Sequence, residues 1–408
     1  MKITKIQVQN YRLLKDFSID IENELSLIIG KNNCGKTSLL SVLDKFLNGS
    51  VSIFSFDDFN LDYKKELKEN IEEITSTITD KTGISLKIFI EYTDSDNLSN
   101  ISKLMMNLDP SNNKICLLFE YILTAEELAN IKKDYGIFKI SEQTKPETSR
   151  KGIDYFLSNN FTKYFCLNKK TVDLIDNSKF IDIEKEKISL KDVINYKFIK
   201  ANRDVSNKEP DKSLSTLSSK IYEGIEADEE HKSNIEKFKD TLCDTDISLG
   251  TIYEGIFEKT IDKVKKFGGI KPDDTKITIA SSLQHRDLLK GNTTVKYLHD
   301  NVHLPENYNG LGYMNLISMI FEIEILINDF KRTKYEKPAD INLLFIEEPE
   351  AHTHPQMQYI FIKNITQRLY KSWRWRKQGI TVHHQYAFIP YCCRKRIWWY
   401  QVSKKREK

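Results

Sequence analysis

Gly30-Lys31-Asn32-Asn33-Cys34-Gly35-Lys36-Thr37 is the stretch whose reading decides the fold. It fits G-x-x-x-x-G-K-[ST] in full. The apolar run Leu25–Ile29 precedes it, and Leu39, Leu40, Leu43 and Leu47 follow at helical spacing. Strand, glycine-rich loop and amphipathic helix in that order are the context a phosphate-binding loop requires, and a strand–helix turn with a chance lysine is the bland alternative. The glycines let the backbone wrap an anion, so that amide N–H groups and the helix N-terminus point at negative charge. Gly30, Asn32, Asn33, Gly35, Lys36, Thr37 and Ser38 are therefore the expected nucleotide-binding set. Lys36 brings a mobile cation to the β- and γ-phosphates, and Thr37 brings a hydroxyl ligand for Mg²⁺. Cys34 within the loop is either an oxidation-sensitive thiol or a tolerated small residue.

A second site lies far downstream. Leu343-Leu344-Phe345-Ile346-Glu347-Glu348-Pro349-Glu350 reads as a buried strand ending in consecutive carboxylates. Adjacent acids can divide their roles, because a metal neutralises one while the other remains free as a base. Glu347 is expected at the Mg²⁺ and Glu348 at the attacking water, with an acidic turn after a strand as the alternative. The intervening stretch of roughly 300 residues exceeds a minimal nucleotide-binding core, so something is inserted between the motifs.

Outward from these motifs, Ile3, Ile6 and Val8 followed by Phe17, Ile19 and Ile21 predict a hairpin-like start. Ile84–Tyr92 and Ile115–Tyr121 alternate as strands with one polar face, and Thr124 with Glu127 predicts a helix capping box. Residues 125–270 are rich in Lys, Glu, Asp, Asn and Ser, with apolar residues spaced for amphipathic helices such as Ile225–Phe238 and Ile252–Val264. Order returns at Ile277 and Ile279, in a helix at Met314–Phe330, the strand Ile341–Ile346 and a helix at Pro355–Tyr370. The 408 residues include no apolar run long enough to span a membrane, and the charged start MKITKIQVQNYR does not read as a secretory signal. Six scattered cysteines suit a reducing cytosol.

Three segments together resemble a family. Ile6–Arg12 is similar to the start of RecF/SMC-type ABC ATPases. The P-loop Gly30–Ser38 is the second segment. Ile346-Glu347-Glu348-Pro349-Glu350-Ala351-His352-Thr353-His354-Pro355 looks like the acidic motif of the OLD (overcoming lysogenization defect) nucleases. Asn309–Asn315 resembles the ABC signature, and Phe198–Asp204 an OLD-type segment. The resemblance implies an α/β fold: an ABC-type P-loop ATPase head with an inserted helical dimerisation arm. It implies ATP and Mg²⁺ as cofactors, and a head-to-tail homodimer or higher homo-oligomer in which Gly310 and Gly312 approach the γ-phosphate. Arg12 would lie near the nucleotide, or be a plain surface arginine. Arg203 would do the same or pair with an acid, and His352 and His354 would pack beside the P-loop rather than bind a metal. OLD chains continue into a Toprim nuclease domain built on clustered carboxylates. Only Glu407 is acidic after Glu350, so no Toprim nuclease domain is expected in these residues, and the strand followed by Thr-His-Ser is also missing.

The net charge of +3 conceals an uneven distribution. Residues 371–408 hold 11 of the 62 basic groups and 1 of the 59 acidic ones, which leaves 51 against 58, or −7, over residues 1–370. Trp373, Trp375, Trp398 and Trp399 are the only tryptophans, and His383-His384 and Cys392-Cys393 also lie in this tail. A basic nucleic-acid-binding tail and a solvated terminus are two readings. A third is a change of reading frame near Lys371–Ser372. Codons for Thr381–Cys393 shifted by one nucleotide permit an apolar strand ending in His-Ser-Ser, and Arg394–Trp399 then regains acids. On that reading the tail has low order.

The organisation expected is an ATPase first half at 1–124, an inserted helical arm at 125–270, an ATPase second half at 271–370 and a basic, possibly frame-shifted tail at 371–408. The leading functional expectation is the cytoplasmic ATP-binding and hydrolysing module of an OLD-like anti-phage DNA endonuclease, with Glu348, Glu347 and Lys36 catalytic and with Thr37 and Glu347 at the metal. A standalone ATPase subunit serving a separate nuclease or effector chain is one alternative. A RecF/SMC-like DNA-repair clamp is the other.

Overall fold

The computed structural model describes residues 1–23, 25–30, 33–49, 54–72, 82–106, 112–147, 150–176, 178–200, 217–218, 220–221, 232–266, 295–299, 302–305, 308, 310–331, 337–349 and 383–389. The chain divides into two compact units, residues 1–201 with 339–351 and 358–408, and residues 202–338 with 352–357. The sequence reading ended the first segment at 124. Strands beyond that point pair with strands before it, so the first unit reaches residue 201.

The first unit contains two sheets. Strands β1 (Lys2–Tyr11), β2 (Leu14–Asp20), β4 (Thr82–Glu91), β5 (Lys114–Leu123), β6 (Phe165–Val172) and β7 (Phe180–Asp182) form an antiparallel sheet in the order β2-β1-β4-β5-β6-β7. β1 and β4 show the expected alternation: Ile6 and Val8 face Ile88 and Leu86 across the pair, all fully buried. β5 departs from its expected polar face, because Cys116, Leu118 and Ile122 are buried as well as Leu117, Phe119 and Tyr121. Residues 125–270, expected as an inserted and mostly helical arm, also contain β6, β7 and β8 (Ile194–Ile199). Phe165–Val172 looks polar because it holds Asn168, Lys169 and Lys170. Its partner strand neutralises this, since Lys170 Nζ donates to Glu120 Oε2 at 2.9 Å and lies over the Phe180 ring.

The second sheet is parallel, in the order β3 (Leu25–Leu27), β12 (His383–Ile389), β11 (Ile341–Glu347), β8. Every residue of β11 is buried, the pattern of a strand covered on both faces. β12 pairs along its length with β11, from Ile341↔His383 to Glu347↔Ile389, and with β3 at Tyr386↔Leu25. The low order expected of the tail therefore does not extend to these seven residues, because two open strand edges offer them a full ladder. The tryptophans, Cys392 and Cys393 lie outside the described residues.

Helix α1 (Lys36–Leu47) runs between the sheets. Leu39, Leu40, Leu43 and Phe46 join one core with Ile6, Leu86 and Phe119 of the antiparallel sheet and with Tyr196, Leu343 and Phe345 of the parallel one. Tyr196 Oη donates to the Leu40 carbonyl at 3.1 Å, and Asn48 Nδ2 donates to the Tyr196 carbonyl at 3.2 Å. α2 (Leu61–Glu72), α3 (Ala125–Gln143) and α4 (Ile153–Asn160) also belong to this unit, as does the short α5 (Leu190–Val193) before β8. Of the capping box expected at α3, the Thr124 half is formed, its Oγ1 accepting from the Glu127 amide at 3.3 Å.

In the second unit, α6 (Lys232–Lys266) spans 35 residues and the hairpin β9 (Lys296–His299) and β10 (Val302–Pro305) precedes α7 (Leu311–Lys331). Ile225, Ile277, Ile279 and the helix expected at Pro355–Tyr370 lie outside the described residues. No helix among the described residues is long and apolar enough to cross a membrane.

Asp340, at the root of β11, gives the first unit a pH-sensitive joint. It is buried, its amide donates to the Asp192 carbonyl at 3.0 Å, and its Oδ2 accepts from Asn100 Nδ2 at 3.1 Å. Burial pushes its carboxyl up to about 6, with Asp192 and Asp96 adding to the effect and Asn100 and the Met1 ammonium opposing it. A raised acid binds a proton in the folded chain that the unfolded chain has released, so stability falls as pH rises from about 4 to about 6, and the deficit is complete above that window. Asp340→Asn is expected to raise the unfolding free energy at pH 8 by about 1–3 kcal/mol and to change nothing below pH 4. Denaturant titrations at pH 8, 6 and 4 check this.

Candidate functional site

β3 ends at Leu27, and the chain passes through Ile28, Ile29 and Gly30 into the loop that opens α1. Two features fix the loop's path. Gly35 has φ +96°, a left-handed backbone that glycine enters without penalty, and a Cβ there would sit 2.7 Å from Leu14 Cδ2. Asn33 is also left-handed, at φ 61°, a conformation asparagine tolerates. A Cβ on Gly30 would meet Cys34 Sγ at 2.6 Å, so Cys34 fills the inside of the turn. Lys31 and Asn32 lie outside the described residues. Lys36 Nζ donates to the Gly30 carbonyl at 2.7 Å, which holds the ammonium over the loop. The first amide groups of α1, from Lys36 through Ser38, have no acceptor within the helix and carry the positive end of its dipole.

Thr37 Oγ1 donates to Glu347 Oε1, joining the first turn of α1 to the last residue of β11. The alternation of β11 brings this about. Ile341, Leu343 and Phe345 enter the core that holds α1, so Glu347 on the same face arrives beside Thr37. A hydroxyl and a carboxylate side by side form a hard oxygen donor set that fits Mg²⁺, which keeps its remaining positions for water and phosphate. Among the described residues no group of three or more His, Cys, Asp or Glu side chains is arranged to hold a metal, so any ion here relies on such further ligands.

Glu348 follows directly after the end of β11, half-buried, with φ 45°. A left-handed backbone at a residue other than glycine is costly, and Pro349 directly after it restricts the turn further. Strain of this kind breaks the strand's alternation at Glu348.

Arg12 sits in the turn between β1 and β2, at φ 46°. The same turn supplies Leu13 and Leu14, which wall Gly35. The turn thus touches the P-loop, and Arg12 is held there by Asp58, to which Nε donates at 2.9 Å and Nη2 at 2.8 Å. Asp58 was not among the sequence-predicted residues. Its signal was the Ser55–Asp58 capping spacing among aromatics, and the structure closes that box with the Ser55 amide donating to Oδ2 at 2.9 Å. Burial opposes ionisation of Asp58, but Lys45, the Ser55 amide and Arg12 together hold its carboxyl below the usual range.

Gly310 immediately precedes α7, and its carbonyl accepts from the amides of Tyr313 and Met314. Gly312 lies in the first turn of that helix, where amide groups lack intrahelical acceptors. Both belong to the second unit, whereas Arg12, the P-loop, Glu347 and Glu348 belong to the first. Arg203, His352 and His354 lie outside the described residues.

A family model described as an AAA ATPase domain matches residues 1–371. Among curated proteins, the chain is 29% identical over 365 residues to the endonuclease GajA of Bacillus cereus (strain HuB5-5), covering 86% of this chain and 49% of that protein. It is 30% identical over 162 residues to the DNA replication and repair protein RecF of Francisella tularensis subsp. novicida, covering 36% of this chain and 44% of RecF. The matched region is thus about half the length of these curated relatives. Among solved structures, an SMC head bound to the C-terminal winged-helix domain of ScpA aligns at TM-score 0.38 and 12% identity, covering 96% of this chain and 90% of that one.

The close wall around Gly35 makes a specific demand. Gly35→Ala places a methyl group against Leu14 in a backbone conformation alanine resists, at a cost of about 1–3 kcal/mol. The expected outcome is a lower unfolding midpoint together with loss of nucleotide binding, read by thermal denaturation and by fluorescent-nucleotide titration.

Proposed function

Because this chain belongs to the AAA ATPase domain family, we propose that it is the Mg²⁺-dependent ATP-hydrolysing portion of an OLD-like DNA endonuclease, acting in anti-phage defence. The observation that carries the reading is the Thr37–Glu347 contact, which puts the hydroxyl of a phosphate-binding loop against the terminal carboxylate of a buried strand. In this mechanism the loop amides and Lys36 cradle the β- and γ-phosphates, with Lys36 exchanging the Gly30 carbonyl for phosphate oxygen. Thr37 and Glu347 hold the ion. Mg²⁺ supplies neutralisation of phosphate charge when bound. Glu348 accepts the proton of the attacking water, a task that needs a carboxylate not consumed by the metal. The first-turn amides at Gly310 and Gly312 serve the γ-phosphate of a second copy in a head-to-tail homodimer. The likeness to an endonuclease over most of the chain supports assignment to such an enzyme, and the nuclease step is assigned to another part of the protein or to a separate effector chain.

The test is steady-state ATP hydrolysis in Mg²⁺. Lys36→Ala is expected to abolish both binding and turnover. Glu348→Gln is expected to keep ATP binding and to lose about 10²–10⁴-fold in turnover. Turnover unchanged by Lys36→Ala would sink the proposal. The RecF alignment favours a second reading, an ATP-dependent clamp on DNA. It predicts ATP-dependent DNA binding that survives Glu348→Gln.

We also propose that the reading frame changes near Lys371–Ser372. Two observations support it. The family match ends at residue 371. In β11 the buried amide of Asn342 has no hydrogen-bond partner among the described residues, at the position whose register neighbour on β12 is His384. A buried orphan amide costs about 1–3 kcal/mol, as a strand not selected for its slot would leave. Sequencing the gene through codon 371 decides it: an immediate stop in the shifted frame overturns the idea.

A further inference from the structure

Asp58 gathers polar contacts from Tyr11, Arg12, Lys45 and Ser55, yet it belongs to no motif. Its side chain is 1% exposed. Oδ1 accepts from Arg12 Nε and Nη2 and from Tyr11 Oη at 3.3 Å. Oδ2 accepts from Lys45 Nζ at 2.7 Å, from the Ser55 amide and from Ser55 Oγ at 3.2 Å. Lys45 lies on α1, about two turns beyond the P-loop, and Tyr11 Oη also meets Ser41 Oγ of α1 at 2.8 Å. The carboxylate therefore ties the helix that follows the P-loop to the β1–β2 turn that walls it.

The backbone repeats this tie. The Arg12 amide donates to the Asp58 carbonyl at 2.8 Å, the Asn60 amide donates to the Asn10 carbonyl at 2.9 Å, and Asn60 Nδ2 donates to the Arg12 carbonyl at 2.6 Å. Asn10 and Arg12 are both left-handed, so the turn is held in a conformation it would not adopt unaided. Both Arg12 donors that reach Asp58 go to one oxygen, and Nη1 has no partner among the described residues. An arginine fixed through one edge keeps its other donors for a second anion, and a planar guanidinium held in this way is pre-organised for phosphate oxygen.

We propose that Asp58 is a positioning residue for nucleotide binding: by bridging Arg12 and Lys45 it locks the Arg12 turn against the P-loop, so that Arg12 can engage the triphosphate. The inference rests on the nucleotide-site reading above. A buried hub that merely supported the fold would lower stability without coupling to ATP affinity. The positioning role instead requires that Asp58 and Arg12 act through one another.

The experiment is a double-mutant cycle in ATP affinity, read by fluorescent-nucleotide titration beside thermal denaturation of each variant. Arg12→Ala and Asp58→Asn are each expected to weaken ATP binding about ten-fold, and the double variant no further, which amounts to a coupling of about 1.4 kcal/mol. Lys45→Met spares the Arg12–Asp58 pair but removes the α1 end of the bridge, and is expected to weaken ATP binding in the same direction as Asp58→Asn; a lower melting midpoint with unchanged ATP affinity overturns the bridging role. Additive effects of Arg12→Ala and Asp58→Asn overturn the proposal, as does an Asp58→Asn protein that is less stable but binds ATP as the parent does. If Asp58→Asn does not fold, Arg12→Lys keeps the charge but loses the two-donor grip on Asp58. Weaker ATP binding supports the role and unchanged binding overturns it. Failure of the parent chain to bind ATP, or indifference to Lys36→Ala, refutes the nucleotide reading itself and is read separately.

Discussion

The contact between the Thr37 hydroxyl and the Glu347 carboxylate joins residues 310 positions apart, and the architecture of the first unit is what permits it. Thr37 must occupy the first turn of a helix whose body is buried between two sheets, and Glu347 must leave a strand on the face toward that helix. Both conditions depend on α1 being apolar on more than one side. Leu39, Leu43 and Phe46 reach one core from within, while Tyr196 and Asn48 hold the helix to β8 by hydrogen bonds. A slide of α1 by one turn along its axis would move Thr37 by about 5.4 Å and dissolve the oxygen pair. Ion affinity and helix packing are therefore one constraint seen from two ends.

The parts visible in the sequence were those with local signals. The P-loop has its own spacing, β1 alternates at Ile6 and Val8 and β4 from Ile84 onward, and the carboxylate pair follows the apolar run Leu343–Ile346. What escaped was written in tertiary partners. Phe165–Val172 carries Lys169 and Lys170 and reads as surface until Glu120 and Phe180 are placed beside Lys170. Ile194, Tyr196 and Phe198 alternate well, but a polar neighbourhood drew them into an expected helical insertion. β5 kept a polar-looking face only because Cys116 and Glu120 interrupt it.

Asp58 shows the same limit at the candidate site. Phe56-Asp57-Asp58-Phe59 reads as an acidic turn, and locally only the Ser55–Asp58 capping spacing tells the two aspartates apart. Position separates them. Asp57 is exposed and pairs with Lys64, whereas Asp58 is buried and gathers Arg12, Lys45, Ser55 and Tyr11. A carboxylate so buried is tolerated because its partners leave neither oxygen unsatisfied.

The placement of β12 between β3 and β11 has a consequence for the order of events during synthesis. The strand leading to the P-loop is made first, the strand ending in Glu347 emerges more than 300 residues later, and the strand that joins their edges comes later still. Until residues 383–389 leave the ribosome, β3 and β11 have no shared neighbour, and their unpaired edges are open to other strands. Closing such a gap requires long-range parallel pairing, the slowest kind of contact to form. A nascent chain paused before that point keeps those edges unpaired, a condition that favours aggregation.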